Sequence, residues 1–122
     1  MMDIYQLAYI MEDVVPKIEE LDGYLFFDRS DKGAEGLRKM AGQYASLAEA
    51  QSWMNIVLLD GFIDNFIGDD WEMDDPSIDK LLSVFERSWS YQVQVLFPQA
   101  RFVIKRMIDK EYGDLGLRLT QI

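Results

Sequence analysis

The fold class this sequence predicts is all-α: a bundle of about four to five helices, with room for a short β element near residues 115–121. Three observations lead there. Ile4, Leu7, Met11, Val14, Ile18, Leu21 and Leu25 recur three and four apart, which places them on one face of a helix. Ile78, Leu82, Phe85, Trp89, Val93, Leu96, Ala100, Val103 and Met107 repeat that spacing over thirty residues. Finally, the 122 residues are 49% hydrophobic and 28% charged, a globular composition and length that fit one helical domain over residues 1–122.

Asp3 is placed to cap the first stripe. Pro16 interrupts it, so the sequence predicts a kink or two short helices there, with Gly23 as a stop. Tyr24–Phe27 reads as a short strand or a last buried turn, and Asp28–Gly36 as a polar loop. A second helix is expected from about Ala34 to Tyr44, burying Leu37, Met40 and Tyr44. Ser46-Leu47-Ala48-Glu49 matches a capping box. It opens a third helix, or lies inside one long helix, carrying Trp53, Met54, Val57, Leu58, Phe62 and Phe66 to Gly68. Asp75-Pro76 supplies an N-cap and a first-turn proline for the longest stripe, and Pro98 marks a kink or junction inside it. Tyr91–Val95 alternates like a strand, but the helical register is the longer signal. Leu115, Leu117 and Leu119 alternate with polar residues, so the tail is expected to be extended or a short strand.

With no cysteine and no histidine, disulfides, thiolate metal sites, imidazole bases and Ser-His-Asp or Cys-His catalysis are excluded within this chain. No run approaches a membrane span, and the first residues lack the basic and apolar regions of a signal peptide. A cytoplasmic, non-membrane protein is therefore expected, with no cofactor and no enzymatic activity.

Charge is distributed unevenly. Residues 1–79 hold 18 acids and 5 bases, a net of −13, whereas residues 80–122 hold 4 acids and 7 bases, a net of +3. The densest segment carries Asp60, Asp64, Asp69, Asp70, Glu72, Asp74, Asp75 and Asp79 with no lysine or arginine. Such a cluster repels itself, a cost that a basic partner relieves. Solvated loops and helix starts also collect acids, but Trp71 and Met73 in their midst suit a contact surface in which a large apolar anchor sits inside a charged rim. These eight acids and Trp71 form the predicted partner-binding set.

The expected function is that of a small acidic protein that binds and masks a basic partner, such as a toxin or nuclease domain. Immunity proteins, antitoxins and nucleic-acid mimics work in this way. One alternative is a helical adaptor or structural subunit acting through homo- or hetero-oligomerisation. A second is a carboxylate and divalent-metal-dependent enzyme. The acidic run has neither the alternating ligands nor the central glycine of an EF-hand, and it is a single cluster in a short chain, unlike the paired magnesium–diphosphate motifs of prenyl-transferring enzymes. Arg101 and Lys105, and Arg106 and Lys110, are each four apart, the spacing of a basic helical stripe. The net charge of −10 nevertheless argues against direct nucleic-acid binding.

Overall fold

Pro16 decides the fate of the first apolar stripe. In the computed structural model, which describes residues 3–122, the first helix α1 (Ile4–Val14) carries a capping box from Asp3 and Gln6 and stops just before the proline. The rest of the stripe is a hairpin of β1 (Ile18–Leu21) and β2 (Tyr24–Phe27). Its two-residue turn holds Asp22 at φ 50° and Gly23 at φ 88°, the left-handed geometry that matches the twist of paired strands. Helical spacing through Leu25 was thus produced by a helix and a hairpin laid end to end.

Three short elements follow: α2 (Gly33–Ala41), α3 (Leu47–Met54) and β3 (Ile56–Leu58). Ser46 caps α3 by accepting from the Glu49 amide, while Glu49 reaches back to the amide of Ala45, one residue before the expected box partner. The predicted long helix through Phe66 does not form. Asn55 breaks it, because its side chain and carbonyl are both engaged by other strands. Helix resumes as α4 (Asp60–Ile67), which ends at Gly68 with φ 84°.

The longest helix, α5 (Pro76–Leu96), starts with the expected Asp75 cap and buries Ile78, Leu82, Phe85, Trp89 and Val93. Tyr91–Val95 lies inside it as helix. Pro98 marks its end rather than a kink, and Val103 and Met107 belong to β4 (Phe102–Asp109) instead. The β element near 115–121 is present as β5 (Asp114–Gln121). The three-stranded sheet runs β3-β5-β4, antiparallel throughout.

The all-α bundle is therefore corrected to a mixed α/β architecture of five helices and two antiparallel sheets among the described residues. Apart from α2, which ends at Ala41 rather than Tyr44, the boundary errors share a cause: a 3.6-residue period continued across a proline or a buried amide into a segment with a period of two.

Helix α5 lies against the sheet, so Phe85, Trp89 and Val93 pack with Leu115, Leu117, Leu119 and Val57. Trp89 meets Phe27 edge-on at 4.7 Å between ring centroids, and its Nε1 donates to the Asp13 carbonyl at 2.9 Å. Because side chains alternate along β2, Leu25 and Phe27 join this core while Phe26 joins a second one with Leu21, Leu37, Ala41, Ala50 and Met54. Gly116 has no room for a Cβ, which would meet the Val57 carbonyl oxygen.

Side-chain amides join the two sheets. Asn55 Oδ1 accepts from the Phe27 amide at 2.9 Å, and Asn55 Nδ2 donates to the Leu25 carbonyl at 2.9 Å. The Leu25 amide donates to Gln121 Oε1 at 2.7 Å, which also receives Gln51 Nε2 at 2.6 Å. Asn55 and Gln51 are buried and fully paired, so they stand in for ladder bonds that β2 and β5 do not make directly. No helix among the described residues is long and apolar enough to cross a membrane.

Candidate functional site

The acidic segment runs from α4 through a connector to the first turn of α5, and it forms one side of a cleft of about 480 Å³. Asp60, Asp64, Asp69, Trp71, Glu72 and Asp74 all line this cleft. The opposite wall is the turn between β4 and β5, which contributes Lys110, Tyr112 and Gly113. Asp60 and Asp64 sit one helical turn apart on α4. Asp60 Oδ1 accepts from the Leu115 amide at 3.3 Å, and Asp64 Oδ1 accepts from Trp71 Nε1 at 2.6 Å.

Three of the predicted residues lie outside the lining. Asp70 is exposed beside the cleft. Asp75 caps α5, accepting from the Ser77 amide at 2.8 Å and hydroxyl at 2.7 Å, and those hydrogen bonds hold its carboxyl below the usual carboxylate range. Asp79 is paired with Arg106 at 2.6 Å. Trp71 and Met73 are half-buried and pack against the main core, so Trp71 pins the connector as well as walling the cleft.

Strand geometry also redistributes the basic residues. Arg106 points toward α5, where it binds Asp79, Ser83 and Glu86, and the two carboxylates push its pKa upward. Lys105 projects from the opposite face of β4, with Arg118 as its cross-strand partner. The basic helical stripe is thus corrected: Lys105 and Arg106 lie on separate faces of β4, Arg101 precedes the strand, and Lys110 lies in the turn after it. No group of three or more Asp or Glu side chains among the described residues is arranged to hold a metal ion.

Sequence reasoning missed a second cleft, of about 450 Å³, between the last turn of α1 and the segment after β2. Asp13 and Arg29 belong to it. The Arg29 guanidinium reaches the Met54 carbonyl at 2.8 Å and the Ile56 carbonyl at 3.3 Å, and lies 3.4 Å from Asp13 Oδ1. Burial pushes the Asp13 carboxyl above its ordinary value, and Arg29 only partly offsets that rise. The available signal was Asp28-Arg29-Ser30-Asp31, charged residues directly after an apolar strand. It reads as an ordinary polar loop until α1 is folded over it.

No protein-family model, no curated protein and no solved structure matches this chain.

Proposed function

We propose that the protein binds and masks a basic protein partner, such as a toxin or nuclease domain, in the cytoplasm and without catalysing a reaction. The observation that carries this reading is the convergence of Asp60, Asp64, Asp69, Glu72 and Asp74 on one cleft, facing a single lining cation, Lys110. Five carboxylates around a concave surface form a field that draws in arginine and lysine side chains, and such steering acts mainly on the association rate. Trp71 and Met73 give the floor an apolar component, and Tyr112 on the far wall is exposed for contact.

The test is capture of a partner from the native host, followed by binding kinetics at several salt concentrations. Asp69→Asn with Asp74→Asn is expected to slow association and flatten its salt dependence, with little effect on dissociation. Unchanged kinetics in that variant, with lost binding after Lys105 or Arg118 substitution, would point to an acidic partner on the opposite side of the protein.

A second reading, as an adaptor that oligomerises, is favoured by one observation. Helix α1 buries only Ile10 and exposes Ile4, Tyr5, Tyr9 and Met11, each by more than half. Exposed apolar residues in such density mark interaction surfaces. Sedimentation velocity at increasing concentration separates the readings: a monomer throughout supports the first, and a concentration-dependent dimer supports the second.

A further inference from the structure

The second cleft holds an imbalance that nothing on this chain resolves. Asp28 is only 5% exposed, yet its Oδ2 is buried without a hydrogen-bond partner. Its other oxygen is committed to an Asx turn, accepting from the Ser30 amide at 2.9 Å and hydroxyl at 2.6 Å. A buried carboxylate oxygen with no donor is expensive, and native structures normally supply one. Asp28 forms part of the cleft wall while Oδ2 is closed to solvent. The carboxyl therefore lies at the cleft without facing water.

The other charged residues around the cleft do not supply the missing donor. Arg29 is occupied by two backbone carbonyls and Asp13. Lys17 turns its Nζ toward Glu19, 3.7 Å away. Glu12 and Asp31 add two more carboxylates to the wall, and neither pairs with a cation among the described residues. The lining thus carries four carboxylates against two cations that are already engaged, which rejects an anion.

Geometry narrows the cation further. No three of the carboxylates are grouped to hold a metal ion, whereas a calcium ion takes six to eight oxygens. A volume of about 450 Å³ falls in the range of sites for small organic ligands and far exceeds a bare ion. Exposed Val15 gives the cleft an apolar wall, suited to an alkyl stem, and the exposed ring of Tyr9 offers a face to a positive head group.

We propose that the cleft between the end of α1 and the Asp28–Asp31 segment binds an alkyl ammonium or guanidinium group, with Asp28 as its charge partner. Direct contact with Oδ2 requires a displacement at the rim, because that oxygen is closed to solvent. Such a group comes either from a free diamine-type cation or from an arginine or lysine side chain of another protein. This site is separate from the Asp60–Asp79 cleft and does not rest on the masking function.

The experiment is a 15N–1H chemical-shift titration of the intact chain with two probes, agmatine and the blocked peptide acetyl-Gly-Arg-Gly-amide. Saturable shifts at Glu12–Lys17 and Phe27–Asp31 are expected. Tighter binding of agmatine assigns the site to a free cation, and tighter binding of the peptide assigns it to a protein side chain. Asp28→Asn keeps an acceptor for Ser30 and removes the charge, so it should weaken the better probe about tenfold. The exposed Glu12→Gln, which leaves the core untouched, should weaken it about threefold. Absence of saturable shifts, shifts confined to Asp60–Asp79, or full affinity in both variants would overturn the proposal. So would calcium chloride producing the same shifts at lower concentration, which would make this an inorganic cation site.

Discussion

Two acidic clefts lie on this molecule, and they carry charge in different ways. The cleft at Asp60–Asp74 is rich in carboxylates, but its acids are exposed or half-exposed, and Asp60 and Asp64 each accept a hydrogen bond from the chain. The cleft beside α1 has fewer acids, yet two of them, Asp13 and Asp28, are drawn into the protein, and one oxygen of Asp28 has no donor. Charge density along a sequence measures the long-range field. Burial determines where a single charge is costly, and that cost is what a ligand can recover.

The largest effect that would sharpen this contrast is expected from Arg29→Met. It strips the donors from the Met54 and Ile56 carbonyls and leaves half-buried Asp13 without a counter-charge. A loss of about 2 kcal/mol in urea unfolding is expected, a figure kept low because the guanidinium is 38% exposed and partly screened. A loss under about 0.5 kcal/mol would erase the distinction between the clefts.

Trp71→Ala ranks next, at about 1.5 kcal/mol, because a half-buried ring and its bond to Asp64 are removed while the main core remains. The variant should still unfold cooperatively. Trp71→Phe should recover most of the loss, and failure to do so would assign the effect to the Asp64 hydrogen bond rather than to packing.

The two regions should also titrate in opposite directions. The folded pKa of Asp13 is raised, so the folded state binds its proton more readily, and the cost it imposes at neutral pH is relieved as pH falls through that raised value. The folded pKa of Asp75 is lowered, so its cap stabilises above the unfolded value and is lost as pH falls through the folded one. Melting curves from pH 7 to pH 3 on Asp13→Asn and Asp75→Asn should therefore depart from the parent chain with opposite sign. Departures of the same sign would break the comparison.

The smallest effect belongs to Asp69→Asn with Asp74→Asn, expected within about 0.5 kcal/mol of the parent stability. Stabilisation well beyond that would show that mutual repulsion in the connector is a real load on the fold.

What the sequence revealed followed from strong local chemistry. The Asp3, Ser46 and Asp75 caps, the five buried positions of α5 and the extended tail were all legible, because each depends on neighbours within a turn or two. Asp22-Gly23 between apolar runs was also a hairpin signal, overridden by a helical register that continued by coincidence into Ile18, Leu21 and Leu25. Strand β4 was hidden in the same way, since Val103 and Met107 are four apart and share a face in a strand as well as in a helix. The acidic cleft was half visible: the sequence supplied one wall, but Lys110 and Tyr112 arrive only when β4 and β5 pair. The cleft beside α1 was not legible, because the burial of Asp28 depends on elements far apart in the chain.

The position of β5 sets the order in which the protein can assemble. It is the central strand, and its pairing with β4 closes locally across the Asp109–Asp114 turn, whereas Ile56 must find Arg118 some sixty residues away. Until β5 is made, β3 has no partner strand, Gln51 lacks Gln121, and the Leu25 amide lacks its acceptor, Gln121 Oε1. On the ribosome, residues 1–79 emerge before β5 as an unfinished chain in which β3 lacks its partner, and they carry a net charge of −13. Like charges on neighbouring nascent chains keep such intermediates apart. The acidic excess on which the proposed masking function rests thus also separates unfinished chains from one another, before any cleft exists.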